Sequence, residues 1–317
     1  MELVFGPVPS RRLGASLGIN NIPPKECSYA CVYCQLGNTI KLRIDRSDFY
    51  TTEKLVGEVS ELIKKTSSHD NKINYLTIVP DGEPTLDLNL GQTIKALRKF
   101  NIKIAVITNS SLLDNKNVRT DLLSADWVSV KVDAVTEEIW QKIDRPHGKL
   151  KLASILTGIK LFSEEYNNFF TVETMLVKGI NDTEKELTAI ANFIKPLHAD
   201  KVYLSIPTRP PAEKSVEPPT AKKINAAYQI FSNTKLNVEL NTGYEGNKFS
   251  STGDLIRDIL NITAVHPMRK EAVKNLILKN NGSWKDVEQL IDSGKLISSE
   301  FNGKIYYLRN LKKWRNK

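Results

Sequence analysis

Short runs of apolar, β-branched and aromatic residues recur along the first two-thirds of the chain: "ASLGIN" (15–20), "INYLTIVP" (73–80), "IKIAVIT" (102–108), "DWVSVKV" (126–132), "FFTVETMLV" (169–177) and "KVYLSIP" (201–207). Each is bounded by turn residues and has about the length of a buried parallel strand. Between them lie stretches with helical spacing. "TTEKLVGEVSELIKKT" places Leu55, Val59, Leu62 and Ile63 on one face, "NLGQTIKALRKF" does so with Leu90, Ile94 and Leu97, and "TEKELTAIANFI" with Leu187, Ile190, Phe193 and Ile194. Six strand-then-helix units predict parallel βα repeats joined by right-handed crossovers. A doubly wound sheet and a partial barrel share that pattern. "LNVEL" (236–240) is a candidate seventh strand, and the proline-rich "PTRPPAEKSVEPP" (207–219) reads as a strap outside regular elements.

The pattern changes after "NTGYEGNKFSSTGD" (241–254). "MRKEAVKNLILKN" predicts a helix ending near Asn281-Gly282. "SWKDVEQLIDSG" predicts a second, with Ser283 as N-cap and Gly294 as terminator. "KLISSEF" and "KIYYLRN" alternate around Asn302-Gly303, a strong hairpin signal. Helix, helix and hairpin read as a winged-helix-like module. The expected organisation is therefore a body over 1–245, a linker over 246–261 and a small domain over 262–317.

Composition adds little until charge is mapped. With 40% apolar and 26% charged residues, the 317-residue chain is ordinary for a globular protein. No apolar run approaches the roughly 20 residues of a membrane span, and the N-terminus lacks the order of a signal peptide. A cytoplasmic protein without membrane contact is expected. The net charge of +9 is uneven: residues 262–317 hold 12 Lys and Arg against 5 Asp and Glu, and the first 261 hold 33 against 31.

All three cysteines, Cys27, Cys31 and Cys34, fall within "KECSYACVYCQLGN" (25–38). Structural zinc wants four ligands, commonly in Cys or His pairs. The nearest histidine, His69, is 35 residues beyond Cys34. A redox pair would explain Cys31 and Cys34 and leave Cys27 idle. Cysteine thiolates also hold iron–sulfur clusters, normally by four ligands. Three would leave one iron of a [4Fe–4S] cube open to a substrate or cofactor.

Cys-x3-Cys-x2-Cys, with Tyr33 in the aromatic position before the third cysteine, resembles the cluster motif of the radical S-adenosylmethionine (SAM) superfamily. The resemblance implies a [4Fe–4S] cluster on Cys27, Cys31 and Cys34, SAM chelated through the open iron, and reductive cleavage of SAM to a 5′-deoxyadenosyl radical that abstracts hydrogen. "PDGEPTL" (80–86), with Gly82, Glu83 and Pro84, is similar to the family motif that receives the SAM amino group, although Asp81 stands where that motif has its first glycine. Thr108 and Asn109 in "ITNSSL", and Lys131 and Asp133 in "VKVDA", match strand ends where members contact the carboxylate or ribose of SAM. The similarity spans about 240 residues and implies the partial barrel. The fold class expected is thus α/β, a partial (βα)6 TIM-type barrel with a C-terminal winged-helix-like module.

"FGPVPSRRLGASLGIN" (5–20) is similar to a subgroup that includes wyosine-base synthases, which act on tRNA. Arg11, Arg12, Arg145, His147 and Arg209 are candidate pocket residues. No thiol is left for a second cluster or a methyl-carrying cysteine. What remains is hydrogen abstraction followed by rearrangement, epimerisation, bond formation or bond cleavage. The expected substrate is RNA, tRNA above all, bound through the basic tail with Tyr306, Tyr307 and Trp314 as stacking faces. A peptide, protein or small-molecule substrate is the alternative, and an iron–sulfur DNA-binding regulator a more distant one. A low-potential electron donor of flavodoxin or ferredoxin type is the implied partner.

Overall fold

Parallel strands buried on both faces carry near-continuous apolar runs, and seven such runs build the main sheet of the computed structural model. It describes residues 3–67, 72–243, 246, 247, 249 and 251–310. His69, Trp314 and the terminal "LKKWRNK" lie outside the described residues.

The chain begins with β1 (Val4–Ser10) and β2 (Gly14–Ile19), followed by a short parallel pair, β3 (Glu26–Cys27) with β4 (Lys41–Leu42). Then come α1 (Thr52–Ser67), β5 (Tyr75–Ile78), α2 (Leu90–Leu97), β6 (Lys103–Ile107), α3 (Lys116–Leu122) and β7 (Trp127–Lys131). After these follow α4 (Glu137–Ile143), α5 (Leu152–Glu165), β8 (Phe169–Met175), α6 (Glu184–Ile194), β9 (Lys201–Ser205), α7 (Ala221–Asn233) and β10 (Val238–Asn241). The main sheet has the order β1-β2-β5-β6-β7-β8-β9-β10. Its strands from β2 to β10 are all parallel, and β1 joins β2 antiparallel. β1 and β10 stand at opposite edges and do not pair, so the curved sheet is a partial TIM-type barrel. The candidate seventh strand is present as β10. β1 is an addition to the sequence reading. Its "VFGPVPS" carries two prolines, which only an edge strand tolerates, and its register shifts between Phe5 and Val8.

The helices bury the faces their spacing foretold: Leu55 and Val59 of α1, Leu90, Ile94 and Leu97 of α2, and Leu187, Ile190 and Ile194 of α6 are fully buried. The inner face differs. Each parallel strand sends at least one side chain toward a central cavity: Ser16, Thr77, Ile107, Lys131, Glu173 and Met175, Ser205 and Asn241. Most are polar.

The C-terminal part contains α8 (Leu255–Val265), β11 (Met268–Arg269), α9 (Lys270–Lys279), α10 (Trp284–Asp292), β12 (Leu296–Phe301) and β13 (Lys304–Arg309), with sheet order β11-β13-β12. The winged-helix-like arrangement is present, with two differences. α8 runs through the boundary expected at 262, and Leu255, Ile259 and Ile262 pack into the module's core. Met268 and Arg269 pair with Tyr307 and Tyr306 as a strand instead of starting the helix. The foretold stops hold: Gly294 has φ +65°, and Asn302 and Gly303 have φ +49° and +67° across the hairpin turn. α8 packs on β1, where Phe5 and Val8 join the module's apolar cluster. At Gly18 of β2 the Phe5 ring lies so close that a Cβ would stand 2.0 Å from it.

Candidate active site

The cavity, of about 360 Å³, opens among the ends of the parallel strands and is lined by all three cysteines. Main-chain bonds fix the cysteine loop to two sides of the barrel. Lys25 N–H donates to Asp81 O at 2.6 Å and Glu83 N–H to Glu26 O at 3.2 Å. Ala30 and Val32 N–H donate to Asp144 and Ile143 carbonyls, both at 3.0 Å. From the strap, Glu213 N–H reaches Val32 O at 3.0 Å. Gly82 has φ +155°, and a Cβ there would sit 2.0 Å from Glu26 O, so only glycine lets the two segments meet.

Glu83 is 1% exposed. Its Oε1 accepts from Thr85 N–H at 3.1 Å, Thr85 Oγ1 at 2.6 Å and Thr108 Oγ1 at 2.6 Å. Among the described residues its Oε2 accepts only from Asn109 N–H, at 2.7 Å. An ionised carboxylate has about four acceptor sites, so Oε2 keeps room for another donor. Burial raises the Glu83 carboxyl, and the hydroxyls of Thr108 and Thr85 oppose that. Asn109 Nδ2 donates to Ser28 Oγ at 2.9 Å and lies 3.5 Å from Cys27 Sγ.

Behind the loop, Tyr33 OH donates to Asp133 and lies 3.4 Å from Asp144 Oδ1, while Cys31 Sγ lies 3.3 Å from the same Asp144 oxygen. Burial, then Asp133, pushes the Asp144 carboxyl well up. Lys131 Nζ stands 3.6 Å from Asp133 and 4.6 Å above the Tyr33 ring. Burial pulls Lys131 down, but Asp133 and Glu173 outweigh it and hold the ammonium at about 12. On the far wall Arg12 pairs with Glu173 at 2.6 Å and lies over the rings of Trp127 and Tyr203. Arg209 spans from Gln35, next to Cys34, to His266 Nε2 at 3.2 Å. Val265 and His266, at the end of α8, line the same cavity.

Among the expected residues, Cys27, Cys31, Cys34, Tyr33, Gly82, Glu83, Thr108, Asn109, Lys131, Arg11, Arg12 and Arg209 all line it. Asp133 and Pro84 do not. Asp133 sits behind Tyr33 and accepts from Met175 N–H at 2.7 Å, and Pro84 begins a buried turn whose carbonyl accepts from Asn21 Nδ2 at 3.0 Å. Arg145 pairs with Glu213, and His147 stays outside the lining. Asp144, Glu173 and His266 were not singled out in the sequence. No local motif marks them, because each becomes relevant only through a neighbour distant along the chain.

A family model described as the radical SAM superfamily matches residues 21–194. The UPF0026 protein MJ1312 of Methanocaldococcus jannaschii is 47% identical over 314 residues, covering 98% of this chain and 97% of that one. A probable dual-specificity RNA methyltransferase RlmN of Thermotoga petrophila is 25% identical over 204 residues, covering 61% of this chain and 55% of that one. Among solved structures, a radical SAM methyltransferase from Sphaerobacter thermophilus aligns with a TM-score of 0.55 at 15% identity, over 72% of this chain and 66% of that one. The chain belongs to the radical SAM superfamily, among its UPF0026 proteins. It is therefore an enzyme whose cofactors are a [4Fe–4S] cluster and SAM.

The donor set fits them. Burial, then Glu83, pushes the Cys27 thiol up to about 12, and burial, then Asp144, raises Cys31 well above the usual thiol range. Thiolates at such positions need a strong local cation, which iron supplies.

Proposed function

We propose that this enzyme abstracts hydrogen from RNA, with Cys27, Cys31 and Cys34 ligating one [4Fe–4S] cluster and the Gly82–Glu83 turn receiving the amino group of SAM. One observation carries the cofactor assignment: three thiols and a carboxylate oxygen with an acceptor site to spare face one cavity at the strand ends. Held by Cys27, Cys31 and Cys34, the cluster would supply one-electron reducing chemistry to a SAM molecule bound beside it. The protein's part is to bind, orient and exclude water. Thr85, Thr108 and Asn109 hold the Glu83 carboxylate rigid, Asn109 steadies the Cys27 sulfur, and Lys131 places a cation beside the Tyr33 ring. Residues 207–209 with Val265 and His266 close the side of the cavity. The electron would come from a low-potential flavodoxin- or ferredoxin-type donor.

Three features support RNA as substrate: the similarity to the RNA methyltransferase RlmN, the guanidinium groups of Arg11 and Arg209 in the cavity wall, and exposed Lys274, Lys285, Lys295 and Lys304 on the module. The stacking faces expected from Tyr306 and Tyr307 are withdrawn. Both are buried at 1% and 5%, and Tyr306 OH donates to Thr208 O at 2.7 Å. A second reading, a peptide substrate, draws on β12. It pairs only with β13, so among the described strands its other edge is open to strand addition.

The test is anaerobic reconstitution and quantification of 5′-deoxyadenosine from SAM and dithionite, with and without total small RNA. Stimulation by RNA that vanishes in Cys31→Ala supports the proposal. Cleavage indifferent to RNA removes RNA as the substrate and leaves the cofactor assignment standing.

A further inference from the structure

The cysteine loop has an outer side that the cofactor assignment does not use. Main-chain bonds tie the loop to the 81–83 turn, to residues 143–147, to the strap at Glu213 and to the 40–43 segment that contains β4. Among the described residues of these four, only the last exposes large apolar side chains: Ile40 and Leu42 are 40% and 39% exposed. Neither lines the cavity, whereas Leu36 and Thr39, just before them, do. The short stretch thus passes from the cofactor side of the loop to its outer side.

Leu42 is the register partner of Cys27 in the parallel β3–β4 pair, and Arg43 N–H donates to Cys27 O at 2.9 Å. Paired strands lie about 4.8 Å apart, so an exposed leucine stands one strand spacing from a cluster ligand. The charge beside it is positive. Lys41, whose side chain is 58% exposed, and Arg43 share the carboxylate of Glu26, at 3.3 and 2.8 Å. Two cations on one anion leave a positive excess at the edge of the apolar pair. An isolated surface leucine needs no explanation. Here two apolar side chains and a cation lie over the loop that an electron must reach from outside, while the cavity side receives SAM.

We propose that Ile40, Lys41 and Leu42 form the docking surface for the low-potential electron carrier, a small protein that presents acidic side chains around its redox centre. The inference rests on the assignment of the cluster to Cys27, Cys31 and Cys34. In the transfer the carrier loses one electron and the cluster gains it, and no covalent bond of this chain forms or breaks. Ile40 and Leu42 exclude water between the two centres. Lys41 and Arg43 steer the acidic carrier onto them.

Stopped-flow electron transfer with the reconstituted full chain tests this without SAM or turnover. The reduced holoprotein, freed of dithionite, is mixed with oxidised flavodoxin, oxidised ferredoxin or methyl viologen, a small acceptor that needs no docking surface. One surface serves both directions of transfer, and this direction runs downhill. In Leu42→Glu and Lys41→Glu the second-order rate with a protein carrier should fall about ten-fold, while the viologen rate does not fall and iron content holds. Ile40→Ser, which changes no charge, should lower the carrier rate as well. If Leu42→Glu loads iron poorly, the other two variants decide. Lys160→Glu, the same charge change on the exposed side of α5, should leave every rate as it is. Unchanged carrier rates in the 40–42 variants overturn this inference alone. So does an equal loss in Lys160→Glu, which would make the effect one of net charge, or a wild-type cluster that passes electrons to viologen and to neither carrier. Background iron in the wild type overturns the cluster assignment as well.

Discussion

The barrel cavity and the winged-helix-like module use charge in opposite ways. Around the cavity Asp81, Glu83, Asp133, Asp144 and Glu173 are all buried. Each is held by specific donors: Lys25 for Asp81, Thr85, Thr108 and Asn109 for Glu83, Met175 N–H and Tyr33 for Asp133, Cys31 and Tyr33 for Asp144, Arg12 for Glu173. In the module the packed centre is apolar, built from Ile259, Ile262, Met268, Val273, Leu276, Val287 and Leu290. Of its acidic residues Glu271, Glu288, Asp292 and Glu300 are exposed, while Asp258 of α8 is buried and accepts from the N–H and hydroxyl of Thr252. Burying a charge costs several kcal/mol unless it is paired and hydrogen-bonded. Asp87, Glu186 and Asp258 are buried away from the cavity too, so what sets the barrel apart is the clustering of five buried carboxyl groups around one cavity.

The largest effect should come from the cysteines. Replacing Cys27, Cys31 or Cys34 by Ala is expected to reduce iron content and 5′-deoxyadenosine formation to background, while thermal unfolding of the apoprotein moves little. A cysteine variant that keeps its cluster would break the comparison at its centre.

Next comes Glu83→Ala, which strands four donors in a dry site: Thr85 N–H, Thr85 Oγ1, Thr108 Oγ1 and Asn109 N–H. Destabilisation of about 3 kcal/mol is expected by denaturant unfolding, with part of it recovered in Glu83→Gln. A loss below about 0.5 kcal/mol would mean that these donors find water.

Glu173 gives the pH test. Burial raises its carboxyl, but Arg12 and Lys131 outweigh that and hold it at about 2, against an ordinary 4.5. A depressed carboxyl stabilises the fold fully above its unfolded value and loses that contribution as pH falls through the folded one. Wild-type stability should therefore decline between about 4.5 and about 2, and Glu173→Gln should flatten that part of the profile. Equal slopes in the two proteins would contradict the assignment.

Smaller effects belong to the module. Tyr306→Phe removes the donor to Thr208 O and one acceptor for Arg269, at about 1 kcal/mol, and should speed amide exchange around residues 207–209. Gly303→Ala, at φ +67°, should cost about 1 kcal/mol and leave iron content and SAM binding untouched. If either change altered the affinity for SAM, the division of labour between the two regions would have to be redrawn.

The elements of both regions were readable in the chain because their signals are local. The α1 and α2 stripes, the Asn302-Gly303 turn and the Gly294 stop each depend on residues within a few positions. β1 escaped because proline masks strand character unless the strand lies at an edge, and edge position is a property of the assembled sheet. The boundary at 262 fell inside α8 because "LIRDILNITAV" has no composition break there. Tyr306 and Tyr307 looked like stacking faces beside the lysines. Their alternation in β13 and the packing of α8 turned both inward.

By itself the sequence determined the parallel βα framework, the three-thiol cluster motif and the Gly82-Glu83 turn. Periodicity and cysteine spacing are written in neighbouring residues, whereas the need for glycine at position 82 comes from the Glu26 carbonyl packed against it. Only the tertiary structure decided what surrounds them: Asp144 against Cys31, Arg12 on Glu173, His266 beside Arg209, and the buried Oδ2 of Asp81. Those contacts join residues 57 to 161 positions apart or rest on burial. Burial and long-range pairing arise from packing the whole chain, and no local pattern encodes them.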